Sequence, residues 1–480
     1  MDNKNALDWI RYSVTFRIVV IGILALLLLI PLEMVKNLVY ERESTKRIAI
    51  AEISQKWGEQ QTIAGPIISV PYKKYITNEK GDLSTITQYA HFLPETLLIN
   101  GTLDPQIRSR GIFDAVVYSS EIDFSGKFIQ PDIRALGIKE TDVEWSNAFI
   151  SVGISDTRGI EDNIELSWNE NKLQFNPGVQ TSDVIQGGIQ GNYEMAPYYG
   201  NTEKDMLMRS TFSSQPIGMM QSPGVSTKLP ESIHNGQSRE YEFSFKLNLN
   251  GSRDLQFIPV GKITKIDLKS SWDTPSFSGA FLPDTREVTS DGFVASWKIL
   301  DLNRGYPQSW LDGAYNVYFS ASGVKLLAGV DGYTKTTRSA KYAILLITLT
   351  FLVFFFVEVF NRKKIHPIQY ILVGLALVLF YALLVSISEI AGFGFAYFIS
   401  SISTIGLITL YSKSVLANNK MAMIQGYVLT FIYLFIYIIL QLEDYALLIG
   451  SILLFSILTT IMYLSRKIDW YAVGSDKQNI

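Results

Sequence analysis

The two ends of the chain are strongly apolar, whereas the long stretch between them has the mixed composition of a soluble domain. Near the N-terminus, a polar segment carrying Lys4, Arg11 and Arg17 leads into a continuous apolar run over residues 18–30. No small-x-small cleavage pattern follows that run, although a removable signal peptide would need one. We therefore predict a retained signal-anchor helix over residues 16–38, within a first segment of residues 1–39, with its basic residues on the cytoplasmic side.

The C-terminal end contains further apolar stretches, each long enough to supply the roughly 20 residues with which an α-helix crosses a bilayer. They cover residues 342–360, 368–388, 392–411, 421–440 and 445–464. The connections between them are short and polar. The pattern predicts a bundle of five membrane-spanning helices over residues 341–465, followed by a tail over residues 466–480.

Positive charge falls on every second connection of this bundle. The basic connections and the tail carry Arg362, Lys363, Lys364, Lys413, Lys420, Arg466 and Lys467. Connections rich in lysine and arginine favour the cytoplasmic side of a membrane. We therefore predict that both termini are cytoplasmic and that the domain between the anchor and the bundle lies on the opposite side. An odd number of spans ending inside must begin outside, which agrees with the orientation of the anchor.

The intervening residues 40–340 change from a helical pattern to a strand pattern. A charged helix is expected to continue the anchor over residues 40–57, and apolar residues then recur at every second position. The clearest alternation places Tyr241, Phe243, Phe245, Leu247 and Leu249 on one face, as in a half-buried strand. Shorter runs predict strands at residues 115–118, 149–154, 164–168, 263–268, 293–299 and 314–319. Short strands separated by Gly, Pro, Asn and Asp predict antiparallel, sandwich-like sheets.

One part of this domain departs from the strand pattern. Between residues 176 and 237 the chain is rich in Gly, Ser, Pro, Gln and Met, and loops of that length are uncommon inside compact domains. We predict a flexible excursion that separates two β subdomains. The predicted fold class is thus a membrane α-helical bundle plus a large β-rich domain.

Composition excludes several kinds of chemistry. A formal net charge of −3 gives no reason to expect nucleic-acid binding, which needs a basic patch. The chain has no cysteine, and its three histidines, His91, His234 and His366, are far apart in sequence, so no metal-ligand spacing is present. Phosphate-loop, dinucleotide-binding and nucleophile-elbow motifs are absent from the sequence. We expect no cofactor, no metal and no enzymatic activity.

Two short clusters combine a carboxylate with an arginine. They are Ser-Asp-Thr-Arg-Gly at residues 155–159 and Asp-Thr-Arg-Glu at residues 284–287. Asp and Gly in the first cluster are equally typical of a turn, and the second cluster is expected to be a loop with a local ion pair. We therefore expect structural roles for both clusters. His366, followed by proline, is expected to cap the next helix.

The third helix of the bundle carries small residues at every fourth position, namely Gly392, Ala396, Ser400 and Thr404. Such a stripe lets a neighbouring helix approach closely, and the alternative is a hydroxyl-lined pathway. We favour the packing seam because no charged residue lies centrally in any predicted span, where an ion-coupled transporter would need one. Glu358 lies near the end of its span, where we expect it to pair with Arg362, four residues further on.

Several longer strings resemble the CreD family of bacterial inner-membrane proteins. They include Gly65-Pro-Ile-Ile-Ser-Val-Pro71, Phe92-Leu-Pro-Glu95, Ser276-Phe-Ser-Gly-Ala-Phe-Leu-Pro283, His366-Pro-Ile-Gln-Tyr370 and Ile468-Asp-Trp-Tyr471. The resemblance covers nearly the whole chain except about residues 194–223, which look like an insertion. It implies an inner-membrane location, a role in envelope integrity and colicin tolerance, and a stress response governed by a two-component regulon. It supplies no catalytic residues.

These observations leave three functional hypotheses. The preferred one is a non-enzymatic envelope-maintenance protein, embedded in the lipid bilayer, whose periplasmic domain contacts an envelope protein or the cell wall. The second is a transporter or channel formed by the bundle. The third is a periplasmic ligand sensor that acts through a separate partner, because the cytoplasmic segments are too short for an output domain. The sequence leaves the oligomeric state open.

Overall fold

The computed structural model of the protein describes residues 14–77, 83–184, 222–230, 233, 239–327, 332–361, 365–442 and 446–466. The chain divides into two compact units. One comprises Met1–Thr45 with Asp331–Ile480, and the other comprises Lys46–Val330. The first unit is helical and the second is rich in β-strands, so the predicted fold class is confirmed.

The helices of the first unit form an apolar bundle. Among the described residues they are α1 (Val14–Leu27), the first part of α2 (Leu29–Trp57), α3 (Gly332–Lys341), α4 (Ala343–Asn361), α5 (Pro367–Ala391), α6 (Phe393–Leu416), α7 (Asn419–Gln441) and α8 (Ala446–Ser465). The stretch Phe16–Trp57 and helices α5, α6 and α7 are each long and apolar enough to cross a membrane. Lys335–Lys341 and Ala343–Val359 meet at a bend of 47° and make a fifth span if they cross together.

The last span predicted from the sequence remains a prediction. The apolar part of α8 that the structure describes, Leu448–Tyr463, is shorter than the other spans. The units divide at Thr45 and Asp331, a few residues from the limits predicted at residues 39 and 340. The side of the membrane on which each segment lies stays a prediction.

The N-terminal helix is part of the packing of the bundle. Leu28 and Leu32 are buried in the same apolar core as Phe351 and Leu377. On α5, Gly374 faces Leu28 so closely that a Cβ at this position would overlap the leucine side chain. Glycine at position 374 therefore allows the backbone of α5 to approach the anchor helix.

The β-rich unit contains two sheets around one apolar core. Within the described residues, the first sheet has nine strands in the order β13 (Pro275–Gly279), β17 (Ser322–Leu326), β11 (Asp254–Ile258), β1 (Gln61–Thr77), β5 (Phe149–Ile154), β9 (Ser222–Lys228) and β8 (Asn176–Val179), with β2 (Leu83–Phe92) on β1 and β16 (Ser309–Leu311) on β2. The second has eight described strands in the order β14 (Thr285–Thr289), β15 (Gly292–Leu300), β12 (Ile263–Ser270), β3 (Thr96–Arg110), β4 (Phe113–Ile129), β10 (Glu240–Ser252), β6 (Glu165–Trp168) and β7 (Asn171–Gln174).

The alternating pattern that predicted β10 is confirmed, since over residues 240–250 its apolar residues are buried and its polar residues are exposed or half-buried. Phe245 of this strand stacks on Phe124 of β4, with ring centroids 4.7 Å apart. Most strand pairs are antiparallel, but β1 runs parallel to β11 and β3 runs parallel to β12. Each of these two pairs joins chain segments from either side of the predicted excursion. The prediction of two separate β subdomains was therefore wrong.

The limits of the excursion, predicted at residues 176–237, were also wrong. Its first residues form β8 and its later residues form β9, and β9 pairs with both β8 and β5. Pro177 is accommodated because β8 lies at the edge of its sheet, where a missing N–H breaks no ladder. Residues 185–221 lie outside the described part of the chain.

The strand predicted over residues 314–319 was wrong as well. A short 3-10 helix, Tyr318–Ser320, occupies its end. The backbone N–H of Tyr318 donates to the side chain of Asn316 at 3.0 Å, and such a local hydrogen bond favours a turn over extended chain.

Candidate functional site

An ion pair joins the N-terminal helix to the bundle. Glu358 of α4 is only 3% exposed, and its Oε1 accepts a hydrogen bond from Nη1 of Arg17 on α1 at 3.0 Å. Its Oε2 accepts from the hydroxyl of Tyr370 on α5 at 2.9 Å. A buried carboxylate within a membrane-spanning helix is costly unless it is paired in this way. The pairing predicted with Arg362 concerns a residue outside the described part of the chain.

A second polar contact lies further along the same helical path. Nε of Arg42 on α2 lies 3.7 Å from Oε1 of Glu389, near the end of α5. Arg42 is about half exposed, so this contact is weak. With the buried pair at Arg17, it places two ionic contacts between the N-terminal helices and the bundle.

The other end of α2 is attached to the β-rich unit. Glu52 forms an ion pair with Arg110 at the end of β3. The guanidinium of Arg108 lies 4.5 Å from the centre of the Trp57 ring, and Nε1 of Trp57 donates to the carbonyl of Tyr118 at 3.2 Å. The last turn of the helix is thus held against the β3–β4 hairpin by charge, ring stacking and a hydrogen bond.

The cluster at residues 155–159 forms the next part of this attachment, which we call the helix–sheet joint (residues 59–62 and 155–159). The buried carboxylate of Asp156 accepts hydrogen bonds from Nε of Arg158 at 2.8 Å and from the backbone of Glu59 at 2.9 Å. Nη2 of Arg158 also donates to the side chain of Glu59 at 2.9 Å. Burial alone would raise the pKa of Asp156, but the hydrogen bonds from Arg158 and Glu59 outweigh it and hold the pKa below its ordinary value.

A fully buried glutamine completes the joint. Nε2 of Gln61 donates to the carbonyl oxygens of Asp156 at 3.0 Å and Asn250 at 2.9 Å. Its Oε1 accepts from the hydroxyl of Ser155 at 3.1 Å and from the backbone N–H of Asp156 at 3.2 Å. Both amide protons and the carbonyl oxygen are therefore satisfied, which stabilises a buried polar side chain. This arrangement is suited to a structural role.

The second carboxylate–arginine cluster lies at an exposed edge. Oδ2 of Asp284 accepts from the backbone N–H of Lys298 at 2.6 Å, which ties the start of β14 to β15. Arg286 and Glu287 are exposed on β14, the outermost strand of its sheet. The prediction of a loop with a local ion pair was therefore wrong: residues 285–287 belong to a strand paired with β15, and among the described residues no ion pair joins Arg286 to Asp284 or Glu287. The first cluster follows β5 of the other sheet.

Three of the four small residues on α6 face the interior. Ala396, Ser400 and Thr404 are buried, whereas Gly392 is exposed at the N-cap with φ of +78°. A Cβ at Gly392 would meet no atom within 4 Å, so this glycine serves the helix start rather than the packing of the stripe.

The remaining predicted residues lie at helix ends. Lys413 and Lys420 lie in the last turn of α6 and the first turn of α7, and Arg466 follows α8. Residues 362–364 and 467 are outside the described part of the chain. Nδ1 of His366 accepts from the backbone N–H of Ile368 at 3.3 Å, so the prediction that it caps α5 is confirmed.

Sequence reasoning missed the partners that give these sites their structure. Glu358 and Arg17 are 341 positions apart, and Gln61 and Asp156 are 95 positions apart. No local pattern links residues at such distances. The only available signals were general ones, namely a carboxylate near an apolar run and a glutamine at the start of a strand.

An anchor helix packed into an apolar bundle, and a large β-rich unit built on the same chain, define a multi-pass membrane protein. A family profile described as "Inner membrane protein CreD" matches residues 13–471. Inner membrane protein CreD of Escherichia coli (strain K12) is 30% identical over 458 residues, which cover 94% of this chain and 92% of that protein. The chain belongs to the CreD family of inner-membrane proteins.

Proposed function

We propose that this protein supports the integrity of the bacterial envelope without catalysing a reaction, through a periplasmic β-rich domain that contacts envelope proteins or the cell wall. The observation that carries the proposal is the double attachment of the N-terminal helical path. Arg17 and Arg42 contact the bundle, and Glu52 and Trp57 contact the β-rich unit. A partner that binds the domain would therefore act on α2, a helix whose first part is also a member of the bundle.

The chemistry of the joint is in keeping with a mechanical role. Asp156, Arg158 and Gln61 direct their hydrogen bonds to each other and to backbone groups that join the helix to the sheets. Such a network favours one geometry of the joint. We infer that the joint holds the domain in a fixed relation to the end of α2.

The proposal requires cytoplasmic termini and a periplasmic domain, as the basic connections indicate. Reporter fusions test this orientation. A reporter active only in the periplasm should be active after Leu300 and inactive after Asp469. The reverse result would contradict the orientation, whatever the role of the protein.

Envelope sensitivity tests the function itself. A strain lacking the protein should become more sensitive to detergents, colicins or cell-wall antibiotics. Wild-type protein should restore resistance, whereas Arg158→Gln should restore it incompletely because the joint loses its ion pairs with Asp156 and Glu59. Lys172→Gln is the matched control, since Lys172 makes an exposed ion pair with Glu165 at 2.7 Å. Variants must be compared at equal abundance in the membrane. Unchanged sensitivity of the deletion strain across the whole panel would refute the envelope role.

A second candidate function is transport through the bundle, and one observation favours it. Gln425 on α7 is fully buried, and in the described part of the chain neither its Nε2 nor its Oε1 has a hydrogen-bond partner. Unpaired polar groups are costly inside a membrane, so water or a polar solute would stabilise this position. Loss of uptake or efflux in a Gln425→Leu variant that remains folded and abundant would favour transport over the envelope role.

A further inference from the structure

The β-rich unit contains a buried cation without an ion-pair partner among the described residues. Arg304, just after β15, is 8% exposed. Its Nη1 donates to the carbonyl oxygens of Pro259 at 3.0 Å and Val260 at 2.6 Å. Its Nε and Nη2 are buried and make no hydrogen bond to the part of the chain that the structure describes.

Other arginines of this unit are placed differently. Arg110, Arg134 and Arg158 are each more than half exposed and form ion pairs with carboxylates. Arg304 is shielded from water, donates to two neutral carbonyl groups and lies against the Tyr306 ring. Asp301 attracts the guanidinium electrostatically, but no ion pair of the described residues joins the two side chains. A buried charge with unpaired N–H groups is strongly unfavourable unless an opposite charge compensates it. The position therefore calls for an anionic acceptor.

The neighbouring side chains also offer hydrogen-bond donors. The Tyr306 ring centre lies 4.5 Å from the guanidinium carbon of Arg304, and the Trp310 ring centre lies 6.1 Å from that of Tyr306. Nε1 of Trp310 and the side-chain amide of Gln308 are buried and, among the described residues, unpaired. A permanent cation, an indole N–H and an amide thus lie along seven consecutive residues.

An irregular connection carries these donors. Between β15 and β17 it contains β16 and the two short 3-10 helices Asp301–Asn303 and Tyr318–Ser320. Its described attachments include a hydrogen bond from the backbone of Leu93 to the carbonyl of Gln308 at 2.9 Å, and one between the hydroxyls of Tyr306 and Ser320 at 2.9 Å. Apart from β16, which pairs with β2, the connection has no place in a sheet, and segments of this kind open more readily than the centre of a sheet; a ligand would have to reach Arg304 through it.

We propose that residues 304–310 form a binding site for a small oxyanion, a carboxylate or a phosphate. Arg304 supplies the charge, and Gln308 and Trp310 supply neutral hydrogen bonds. A guanidinium with two free N–H groups on one side can hold two oxygens of one oxyanion. The proposal does not depend on the envelope role or on transport.

The test uses the purified full-length protein in nanodiscs of phosphatidylcholine, which has no net charge. The melting temperature is followed while sodium phosphate, sodium acetate or sodium glucuronate is titrated against sodium chloride at equal ionic strength. A ligand that binds the folded state raises the melting temperature as its concentration exceeds its dissociation constant. We expect a saturable rise with at least one of the three anions, and the most effective anion distinguishes phosphate from carboxylate and a simple acid from an acidic sugar.

Two variants locate the effect. Arg304→Lys keeps the charge but loses the two-pronged geometry, so the dissociation constant should increase about tenfold or more. Arg286→Gln, at an exposed position on β14, should bind as wild type does. The proposal fails if no anion stabilises the protein more than chloride does, or if Arg304→Lys binds with unchanged affinity.

Discussion

The buried ion pair between Arg17 and Glu358 allows a test of how the anchor helix is held in the bundle. Arg17→Ala would leave the Glu358 carboxylate, 3% exposed, without its cation. Breaking a buried pair by removing one partner costs about 3–5 kcal/mol. Glu358→Ala should cost less, about 1–3 kcal/mol, because Arg17 is 24% exposed and can reach water, and only the Tyr370 hydroxyl remains buried and unpaired.

The double variant gives the sharper result. When both charges are absent, no uncompensated carboxylate remains, so Arg17→Ala/Glu358→Ala should be more stable than Arg17→Ala alone. The free energy of unfolding can be measured with purified full-length protein titrated from mild detergent into denaturing detergent. The exposed pair Glu33–Lys36, at 3.0 Å, is the matched control, and Lys36→Ala should change stability by about 0–1 kcal/mol.

Two outcomes would refute this reasoning. Arg17→Ala could prove no more destabilising than Lys36→Ala, which would mean that the carboxylate is hydrated or neutral without its partner. Alternatively, the two single changes could add in the double variant, although residues that share one interaction should not behave independently. Either result would show that apolar packing around Leu28, rather than the ion pair, attaches the anchor helix.

Three further predictions concern packing and pH. Gly374→Ala should destabilise the protein by about 1–3 kcal/mol through overlap with Leu28, and the loss should be smaller when Leu28→Ala is present in the same chain. If Gly374→Ala costs the same free energy of unfolding with and without Leu28, the two residues are not in contact. Ala396→Leu should have a similar cost, while Ser400→Ala should be neutral or slightly stabilising because Oγ is buried without a described partner. If Ser400→Ala abolishes function while the protein remains at normal abundance, a hydroxyl-lined pathway is favoured over the packing seam. Because the pKa of Asp156 is lowered in the folded state, the ionised carboxylate stabilises the fold above about pH 4, and this contribution is lost as the pH falls further. The difference in melting temperature between wild type and Asp156→Asn should therefore become smaller on acidification. A difference that does not change with pH would contradict the stabilising role of the Asp156 carboxylate.

The elements that the sequence predicts best are those whose conformation depends mainly on the medium around them, either lipid or water. A long apolar run forms a helix in a membrane because its backbone groups have no other partners there, and α5, α6 and α7 appear where hydropathy places them. Strand β10 was predictable for a similar reason, since one face meets the core and the other meets water. In both cases each residue responds to an environment that the local pattern already reveals.

The parts that could not be predicted depend on distant partners. β8 and β9 contain Pro177, Gly178, Pro223 and Gly224, which are typical of loops, yet they form strands because β5 offers an edge with which β9 can pair. The helix–sheet joint depends on contacts between Gln61 and residues 155–159, and no sequence pattern near position 61 predicts those contacts. The parallel pair β1 and β11 likewise unites segments far apart in the chain. Tertiary context therefore overrides local propensity at these sites.

The same contrast indicates where ligand binding in this protein should be sought. A motif search draws attention to Asp156 and Arg158, but the structure shows that their hydrogen bonds already serve the joint. Arg304 and Gln425 belong to no motif, yet they retain buried polar atoms that no described residue satisfies. Because leaving such atoms unpaired costs about 1–3 kcal/mol each, and more for a charge, they are the positions at which an external group would gain most by binding. It is unsatisfied burial, rather than the proximity of reactive residue types in the sequence, that makes Arg304 and Gln425 the positions at which we propose to look for a ligand.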